Sequence, residues 1–567
     1  MFSGNRTKCG QISTGALAIS LSGFACSAIA KPAVVQVYSG GPIITLAADA
    51  PDYAEAVAVR GGRILAAGDR KTVRKAAGRK ARHIDLAGKT MLPGFIDAHG
   101  HISLLGRFKA MANLSAPPVG TVTTIAELQA ALRAHMQQNP GGPILGRGYD
   151  DAMLAEGEHP TRQELDAVSR DRPIVLMHVS GHLAAANTAM LESVGIGPQT
   201  PDPAGGTIRR EADGKMPSGV LEEAAMMRVF REIFPADLES NIAAIEAGLG
   251  DYTANGITTA QDGGVPAEQW PIYLALRQRG LPIDIALLVL GMDDLTPELQ
   301  ENIGKGYRGG VRIAGLKFIV DGSPQGRTAW LSHPYHQVPD GKPRDYAGYA
   351  AIDLPRFETK LAEAARNDWP VFAHVNGDAA AQTLIDTVRK TGLEGRRTIA
   401  IHNQIVRPEQ LESMKQLDIH PSFFANHTYF WGDWHREVVL GGRRADFISP
   451  QASAWKLGLR PTAHNDAPVV PPNMLRLVWS SVNRRTQSGD VLGPDQRISI
   501  YRALQQVTIN AAWQIREADE KGSIEAGKQA DFVILDHNPL EHASDRLHEI
   551  AVVATINDGG FVHGSLD

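Results

Sequence analysis

Cysteine is nearly absent from this sequence of 567 residues, which contains two. Both of them, Cys9 and Cys26, lie within the first thirty positions, a segment that we predict to be removed from the mature chain. The remaining chain then has no thiol, which excludes disulfides, thiolate metal sites and cysteine nucleophiles together. Any metal ion must be bound by nitrogen and oxygen atoms.

The sequence also lacks a strong excess of charge of either sign. Its formal net charge is −5, with 43% hydrophobic and 21% charged residues, which is an ordinary globular composition. This mild acidity gives no electrostatic basis for binding nucleic acid or an anionic membrane surface. We therefore expect neither of these as a partner. A small-molecule substrate is compatible with this composition, and the sequence leaves open whether the chain forms a homo-oligomer.

Long apolar runs are missing as well, so no membrane span is predicted. At the N-terminus, Arg6 and Lys8 precede the run "GALAISLSGFACSAIA", which ends in the small-residue pattern Ala28-Ile29-Ala30. A basic start, a short apolar run and such an ending are typical of a secretory signal peptide. We predict that residues 1–30 are a signal peptide cleaved after about Ala30 and that the protein is periplasmic or secreted.

The pattern of apolar runs predicts an α/β fold. Both ends of the mature chain show short strand-like runs between turn glycines, whereas the middle alternates eight apolar runs with helical patterns. Eight βα units are typical of a (β/α)8 TIM barrel. We predict a composite β-sandwich from residues 31–92 and 515–567, a barrel over 93–514, and an inserted subdomain at about 105–252, where the connection is too long for one βα unit.

Ionisable side chains follow five of the eight predicted barrel strands. In "LPGFIDAHGH", His99 and His101 share one face because the side-chain period of a strand is two. The later strands end near Lys317, His374, His402 and Asp466. The carboxyl ends of barrel strands meet at one mouth, so these groups should converge there. Four imidazoles and one carboxylate suit a divalent ion of the zinc type.

Lys317 lies inside an apolar strand, where burial of an ammonium is costly and lowers the pKa. A neutral lysine amine can react with CO2 to form a carbamate, whose two oxygens can bridge two metal ions. The alternative is an ion pair with Asp321 or Asp262, and the spacing alone does not decide between the two.

Several motifs together resemble the amidohydrolase superfamily, most closely its YtcJ-like branch (amidohydrolase family 3), which includes N-substituted formamide deformylase. They are "LPGFIDAHGH", "GLKFIVDGSPQGRTAWL", "HVNGDAA", "NDAPVVPPN", "ALQQVTINAA" and "GSIEAGKQADFVILD". The resemblance covers nearly all of the mature chain. It implies a (β/α)8 barrel, a composite β-sandwich from both termini, and a site with one or two metal ions.

The resemblance also implies individual roles. The positions that match the family's metal ligands are His99, His101, Lys317, His374, His402 and Asp466. Lys317 matches a bridging lysine that is carboxylated in members with two metals, and Asp466 matches the carboxylate that also transfers the proton of the water. One departure is His464-Asn465 before Asp466, where the branch usually has Gly-Ser, so a further ligand or proton carrier stands beside the site.

These observations predict a metal-dependent hydrolase that uses metal-activated water to cleave an amide-type C–N bond in an amide, N-substituted formamide or carbamate. Two alternatives stay open. One is an esterase or lactonase on the same site, and the other, less favoured, is an exported binding protein without turnover.

The candidate substrate-binding residues are His182, Arg327, Tyr429 and Trp431. The segment "FFANHTYFWGDWH" follows the seventh strand and has six aromatic residues, which predicts an apolar, aromatic substrate group. For two candidates a structural alternative stays open. His182 could be a polar residue at a helix start, and Arg327 could pair with Asp321.

Overall fold

The computed structural model describes residues 34–234, 237–339 and 341–566. The predicted signal peptide lies outside the described residues, so it stays a prediction. Within them, none of the helices is long and apolar enough to cross a membrane.

Within the described residues, the strands form three sheets. In chain order they are β1 (Gln36–Ile44), β2 (Tyr53–Arg60), β3 (Arg63–Gly68), β4 (Arg82–Asp85), β5 (Thr90–Pro93), β6 (Phe95–Ile96), β7 (Ala112–Asn113), β8 (Ile144–Tyr149), β9 (Ile174–His178), β10 (Leu183–Ala186), β11 (Gly206–Arg210), β12 (Pro217–Glu223), β13 (Ile257–Val265), β14 (Asp284–Leu290), β15 (Val311–Ile319), β16 (Val371–Val375), β17 (Thr398–His402), β18 (Ile419–Phe423), β19 (Thr462–Ala463), β20 (Phe532–Leu535), β21 (Val552–Asn557) and β22 (Gly560–Gly564).

The helices lie mostly between the barrel strands. They are α1 (Arg70–Ala77), α2 (Ile102–Phe108), α3 (Ile125–Gln138), α4 (Arg162–Asp166), α5 (Thr188–Ser193), α6 (Met227–Ile233), α7 (Leu238–Ala254), α8 (Trp270–Leu276), α9 (Pro297–Asn302), α10 (Leu354–Asn367), α11 (Asp378–Thr391), α12 (Pro408–Leu417), α13 (His427–Phe430), α14 (Gly432–Trp434), α15 (Gly442–Asp446), α16 (Gln451–Lys456), α17 (Met474–Asn483), α18 (Ile500–Gln506) and α19 (Ile509–Gln514).

The central sheet consists of parallel strands in the order β6, β13, β14, β15, β16, β17, β18 and β19. Each of the eight apolar runs identified in the sequence overlaps one of these strands. The segments that follow the two edge strands, β6 and β19, are hydrogen-bonded to each other. His101 N–H donates to the carbonyl of Ala467 (2.7 Å), and Asp466 N–H donates to the carbonyl of His99 (3.1 Å). The predicted α/β fold with a TIM-barrel-like arrangement is confirmed.

The other two sheets lie before, within and after the barrel sequence. One combines β1–β5 with β20–β22, and β5 pairs antiparallel with β20 so that Leu92 lies opposite Val533. The other contains β7–β12 and comes between the first and second barrel strands. The domain boundaries given above stay predictions.

A buried cluster of charges lies at the amino-terminal ends of β14 and β15, away from the ends where the predicted site lies. Lys521 Nζ is 2.6 Å from Asp284 Oδ2 and 3.5 Å from Glu517 Oε2, and its side chain is 2% exposed. Arg312 pairs with the same Glu517. Buried charges of this kind contribute to stability only while each keeps its partner.

We predict that Lys521→Met lowers the free energy of unfolding by about 3–5 kcal/mol, because Asp284, whose side chain is 13% exposed, is left without its ammonium partner. Urea denaturation followed by circular dichroism measures the change. The matched control is Lys390→Met, whose ion pair with Glu358 is 67% and 41% exposed and should cost at most about 1 kcal/mol. Equal effects in the two variants would contradict the prediction.

Candidate metal centre

The side chains predicted at the strand ends lie close together at the mouth of the barrel. Lys317 Nζ, on β15, is 2.9 Å from His99 Nε2. His101 Nε2 lies 3.3 Å and His99 Nε2 3.6 Å from Oδ1 of Asp466. The curvature of the parallel sheet thus brings groups from the first, fourth and eighth strands together.

The fifth and sixth strands complete this group of side chains. The ring centroids of His374 and His402 are 4.4 Å apart, and His402 Nδ1 is 3.9 Å from Asp466 Oδ2. One potential ligand atom from each of His99, His402 and Asp466 lies within 4.8 Å of the other two. This spacing allows all three to contact the same ion.

Two of the imidazoles are oriented by backbone carbonyls. His101 Nδ1 is 2.6 Å from the carbonyl oxygen of Gly263, and His374 Nε2 is 3.1 Å from that of Gly322. A histidine that donates one ring N–H to a carbonyl has its other nitrogen free as a ligand, which is the usual arrangement at protein metal sites.

The backbone is strained where two of these residues lie. His402 and Asp466 have φ values of 66° and 56°, and Asn403 follows at 40°. Such left-handed conformations cost about 1–3 kcal/mol for residues other than glycine and occur most often at functional sites. The fold holds these residues in place in spite of this cost.

Lys317 is fully buried, and burial lowers its pKa to about 7, although Asp466 acts in the opposite direction. The two carboxylates that the sequence offered as ion-pair partners of Lys317 accept hydrogen bonds from other groups. Asp262 accepts the hydroxyl of Tyr273 (2.6 Å), and Asp321 accepts three backbone N–H groups, from Asn376, Gly377 and Trp330. The amine of Lys317 instead contacts His99.

The donor set fits a divalent cation. Oδ1 of Asp466 is buried and faces the two imidazole nitrogens without hydrogen-bond geometry. Burial opposes ionisation of Asp466, but His101 and His99 outweigh it and hold the pKa of this carboxyl well below its usual range. One carboxylate among neutral imidazoles is a set of nitrogen and oxygen ligands, as expected for a chain without thiol ligands.

His464, the departure from the family pattern, lies beside His402 and His99, with ring centroids 5.0 Å and 5.5 Å from theirs. Its Nε2 is 3.0 Å from Nδ1 of His402, and its Nδ1 is 2.9 Å from the hydroxyl of Ser422. Burial lowers the pKa of His464 to about 3, so its ring is neutral. Both ring nitrogens of His464 are therefore engaged, one with His402 and the other with Ser422.

A cavity of about 450 Å³ lies above these side chains, between the barrel mouth and the inserted sheet. Most of its wall is apolar, formed by Leu104, Phe108, Val179, Met226, Met227, Leu290, Met292, Ile319, Ile352 and Val469. Among these described residues Phe108 has the one phenyl ring, so the wall is mainly aliphatic and methionine-rich. A wall of this composition accommodates an apolar group.

A sequence profile of the amidohydrolase family matches residues 82–563. This chain belongs to the amidohydrolase family. It is 29% identical over 527 residues to N-substituted formamide deformylase of Arthrobacter pascens, covering 89% of this chain and 94% of that protein. It is 27% identical over 546 residues to the putative amidohydrolase YtcJ of Bacillus subtilis (strain 168), covering 93% and 99%.

A solved structure of an uncharacterized metal-dependent hydrolase from Pyrococcus horikoshii OT3 is also similar, with a TM-score of 0.71 and 25% identity over 90% of this chain and 99% of that one. The resemblance stated from the motifs is confirmed. The protein is a metal-dependent hydrolase of the amidohydrolase type that acts on C–N bonds.

Of the four candidate substrate-binding residues in this amidohydrolase, His182 lines the cavity. The other three do not. Arg327 Nη2 is 3.8 Å from Asp151 Oδ2, the ring of Tyr429 packs against Trp479 at 5.4 Å, and the indole N–H of Trp431 donates to Asp150 (2.7 Å). The aromatic segment after the seventh strand thus packs mostly behind the cavity wall.

Two buried carboxylates at the site of this amidohydrolase were missed from the sequence. Glu223 Oε2 is 2.8 Å from His182 Nδ1. Asp97, whose pKa burial raises to about 7, accepts the backbone N–H of Asn465 (3.2 Å). Asp97 could have been found, because it continues the i, i+2 alternation of His99 in the first barrel strand.

Proposed function

We propose that this amidohydrolase is exported, binds one or two ions of the zinc type, and cleaves an amide, N-substituted formamide or carbamate that has an apolar group. The observation that supports this most is the position of Asp466, which faces His99 and His101 at the base of an apolar cavity that Lys317 also lines. The identity to a formamide deformylase supports the same class of substrate.

The residues that would hold the ion or ions are His99, His101, Lys317, His374, His402 and Asp466. A bound divalent ion lowers the pKa of its water ligand to about 7 and polarises the scissile carbonyl. Lys317 would bridge a second ion after carboxylation, in which its amine nitrogen bonds to the carbon of CO2 and a proton is released. A pKa of about 7 leaves much of the Lys317 amine neutral and reactive at neutral pH.

Asp466 transfers the proton in this proposal. Its carboxylate accepts a proton from the attacking water and later donates it to the leaving nitrogen, which makes that nitrogen a neutral amine. Asp466 suits this role because its carboxylate is 3.3 Å from His101 Nε2 and lies on the cavity wall.

His182 binds the substrate beside the metal centre, where its ring centroid is 4.9 Å from that of His374. Burial opposes protonation of His182, but the contact with Glu223 outweighs it and raises the pKa of this imidazole. A protonated His182 can donate a hydrogen bond to the carbonyl oxygen of the substrate, where negative charge develops during the reaction. The aliphatic wall meanwhile holds the apolar group and excludes water.

We predict that Asp466→Asn retains bound metal but lowers kcat at least about 100-fold, because an amide cannot accept the proton. Turnover is measured on a panel of aryl amides and N-substituted formamides, with bound metal measured by elemental analysis. The control is Asp293→Asn, a change at another carboxylate of the same cavity wall, which should change kcat less than about threefold.

Full activity of Asp466→Asn would contradict the role of Asp466 and make His464 the next residue to substitute. Wild-type hydrolysis of matched aryl esters but of no amide in the panel would favour the esterase alternative. Metal-loaded protein that hydrolyses neither class would contradict the proposed substrates.

We predict that Lys317→Ala binds at least one metal ion fewer per chain than the wild type, because the bridge between the ions is lost. Wild-type protein loaded with metal in ¹³C-labelled bicarbonate should also give a carbamate signal in its ¹³C spectrum that Lys317→Ala lacks. Lys390→Ala, a change at an exposed lysine, is the control. Unchanged metal content together with no carbamate signal in the wild type would show that Lys317 is structural.

A further inference from the structure

The inserted sheet contains a second group of potential metal ligands, formed by Asp151, His159 and His178 and called here the insertion cluster. One ligand atom from each lies within 4.8 Å of the other two. His178 Nε2 is 3.0 Å from Asp151 Oδ1, and His159 Nε2 is 3.4 Å from Asp151 Oδ2. Two imidazoles therefore face the two oxygens of one carboxylate.

The fold brings these residues together as it does at the barrel mouth. β8 and β9 are parallel neighbours, and Tyr149, which ends β8, lies opposite His178, which ends β9. Asp151 follows two residues after β8, and His159 comes from the loop before α4. The carboxyl ends of adjacent parallel strands are a usual place for a binding site.

Both imidazoles are fixed from behind by hydroxyl groups. His178 Nδ1 is 2.8 Å from Ser180 Oγ, and His159 Nδ1 is 3.2 Å from the hydroxyl of Tyr149. Each ring therefore uses Nδ1 for a hydrogen bond and directs Nε2 toward Asp151. The backbone N–H of Ser180 also donates to His178 Nδ1 (3.2 Å), which fixes this ring further.

One of these nitrogens lacks a hydrogen bond. His159 Nε2 is buried and has no hydrogen-bond partner among the described residues, and its side chain is 6% exposed. Buried polar atoms in native proteins nearly always have a partner. An ion bound by Asp151 and His178 as well as by His159 would supply that partner.

We propose that the insertion cluster is a second divalent-cation site, separate from the barrel mouth, with Asp151, His159 and His178 as its protein ligands. Two nitrogens and a carboxylate suit an ion of the zinc type. With bonds of about 2.0–2.1 Å, neighbouring ligands of a tetrahedral ion lie about 3.3 Å apart. The contacts of 3.0 Å to Oδ1 and 3.4 Å to Oδ2 of Asp151 are close to this value, and one of these oxygens would be the ligand.

An ion at the insertion cluster would fix the inserted sheet against the barrel. Asp151 faces Arg327, which follows β15, and the neighbouring Asp150 accepts the indole N–H of Trp431, which follows β18. Ser180, which supports His178, belongs to the same cavity wall as His182. The role of the site is therefore structural: it would stabilise the position of the cavity wall that contains Ser180 and His182.

Anomalous diffraction tests this proposal directly. Crystals of the wild-type protein loaded with Zn²⁺ are measured above and below the zinc absorption edge. We expect one anomalous peak about 2.0–2.2 Å from ligand atoms of all three residues, in addition to density at the barrel mouth. A peak at the barrel mouth with none at the insertion cluster would overturn the proposal and leave a hydrogen-bonded network there.

A matched pair of variants tests the same point in solution. His159→Gln should bind one Zn²⁺ fewer per chain than the wild type, whereas His135→Gln, on α3 of the inserted subdomain, should bind the same number. Unchanged Zn²⁺ content in a folded His159→Gln would also overturn the proposal. If that variant does not fold, the wild-type diffraction experiment decides. Neither measurement depends on the substrate proposed above.

Discussion

Closure of the parallel sheet is the constraint on which the rest of this structure depends. Two backbone hydrogen bonds connect the segment after the first barrel strand with the segment after the last, and they involve His99, His101, Asp466 and Ala467 themselves. The bonds that close the barrel are therefore made by the same residues that form the candidate metal centre. Without this closure, residues more than 360 positions apart in the sequence would have no reason to meet.

The same closure buries ionisable groups that are costly to bury. Burial lowers the pKa of His374 and His402 well below the usual range of histidine and lowers that of Lys317 to about 7, so these groups tend to be neutral. Asp466 stays ionised beside them. The buried Asp466 carboxylate and the neutral imidazoles around it lack a positive charge in their midst. A bound cation would supply that charge, so the cost of burying these groups favours metal binding.

The sequence predicted the barrel strands and the six converging side chains because both follow from local patterns and from the common direction of parallel strands. It did not predict which residues form the cavity wall. Glu223 reaches His182 from another strand of the inserted sheet, and Arg327 faces Asp151 rather than Asp321. Such contacts depend on how the insertion packs on the barrel. Local sequence patterns do not predict this packing.

Metal content of the His99→Ala/His101→Ala double variant beside the wild type tests the central claim most directly. Both proteins are stripped with a chelator, reloaded with Zn²⁺ and analysed for bound metal after their folding is checked by circular dichroism. The account predicts that the wild type regains the ion or ions of the barrel mouth and that the double variant loses them. Equal metal content in the two folded proteins would contradict it.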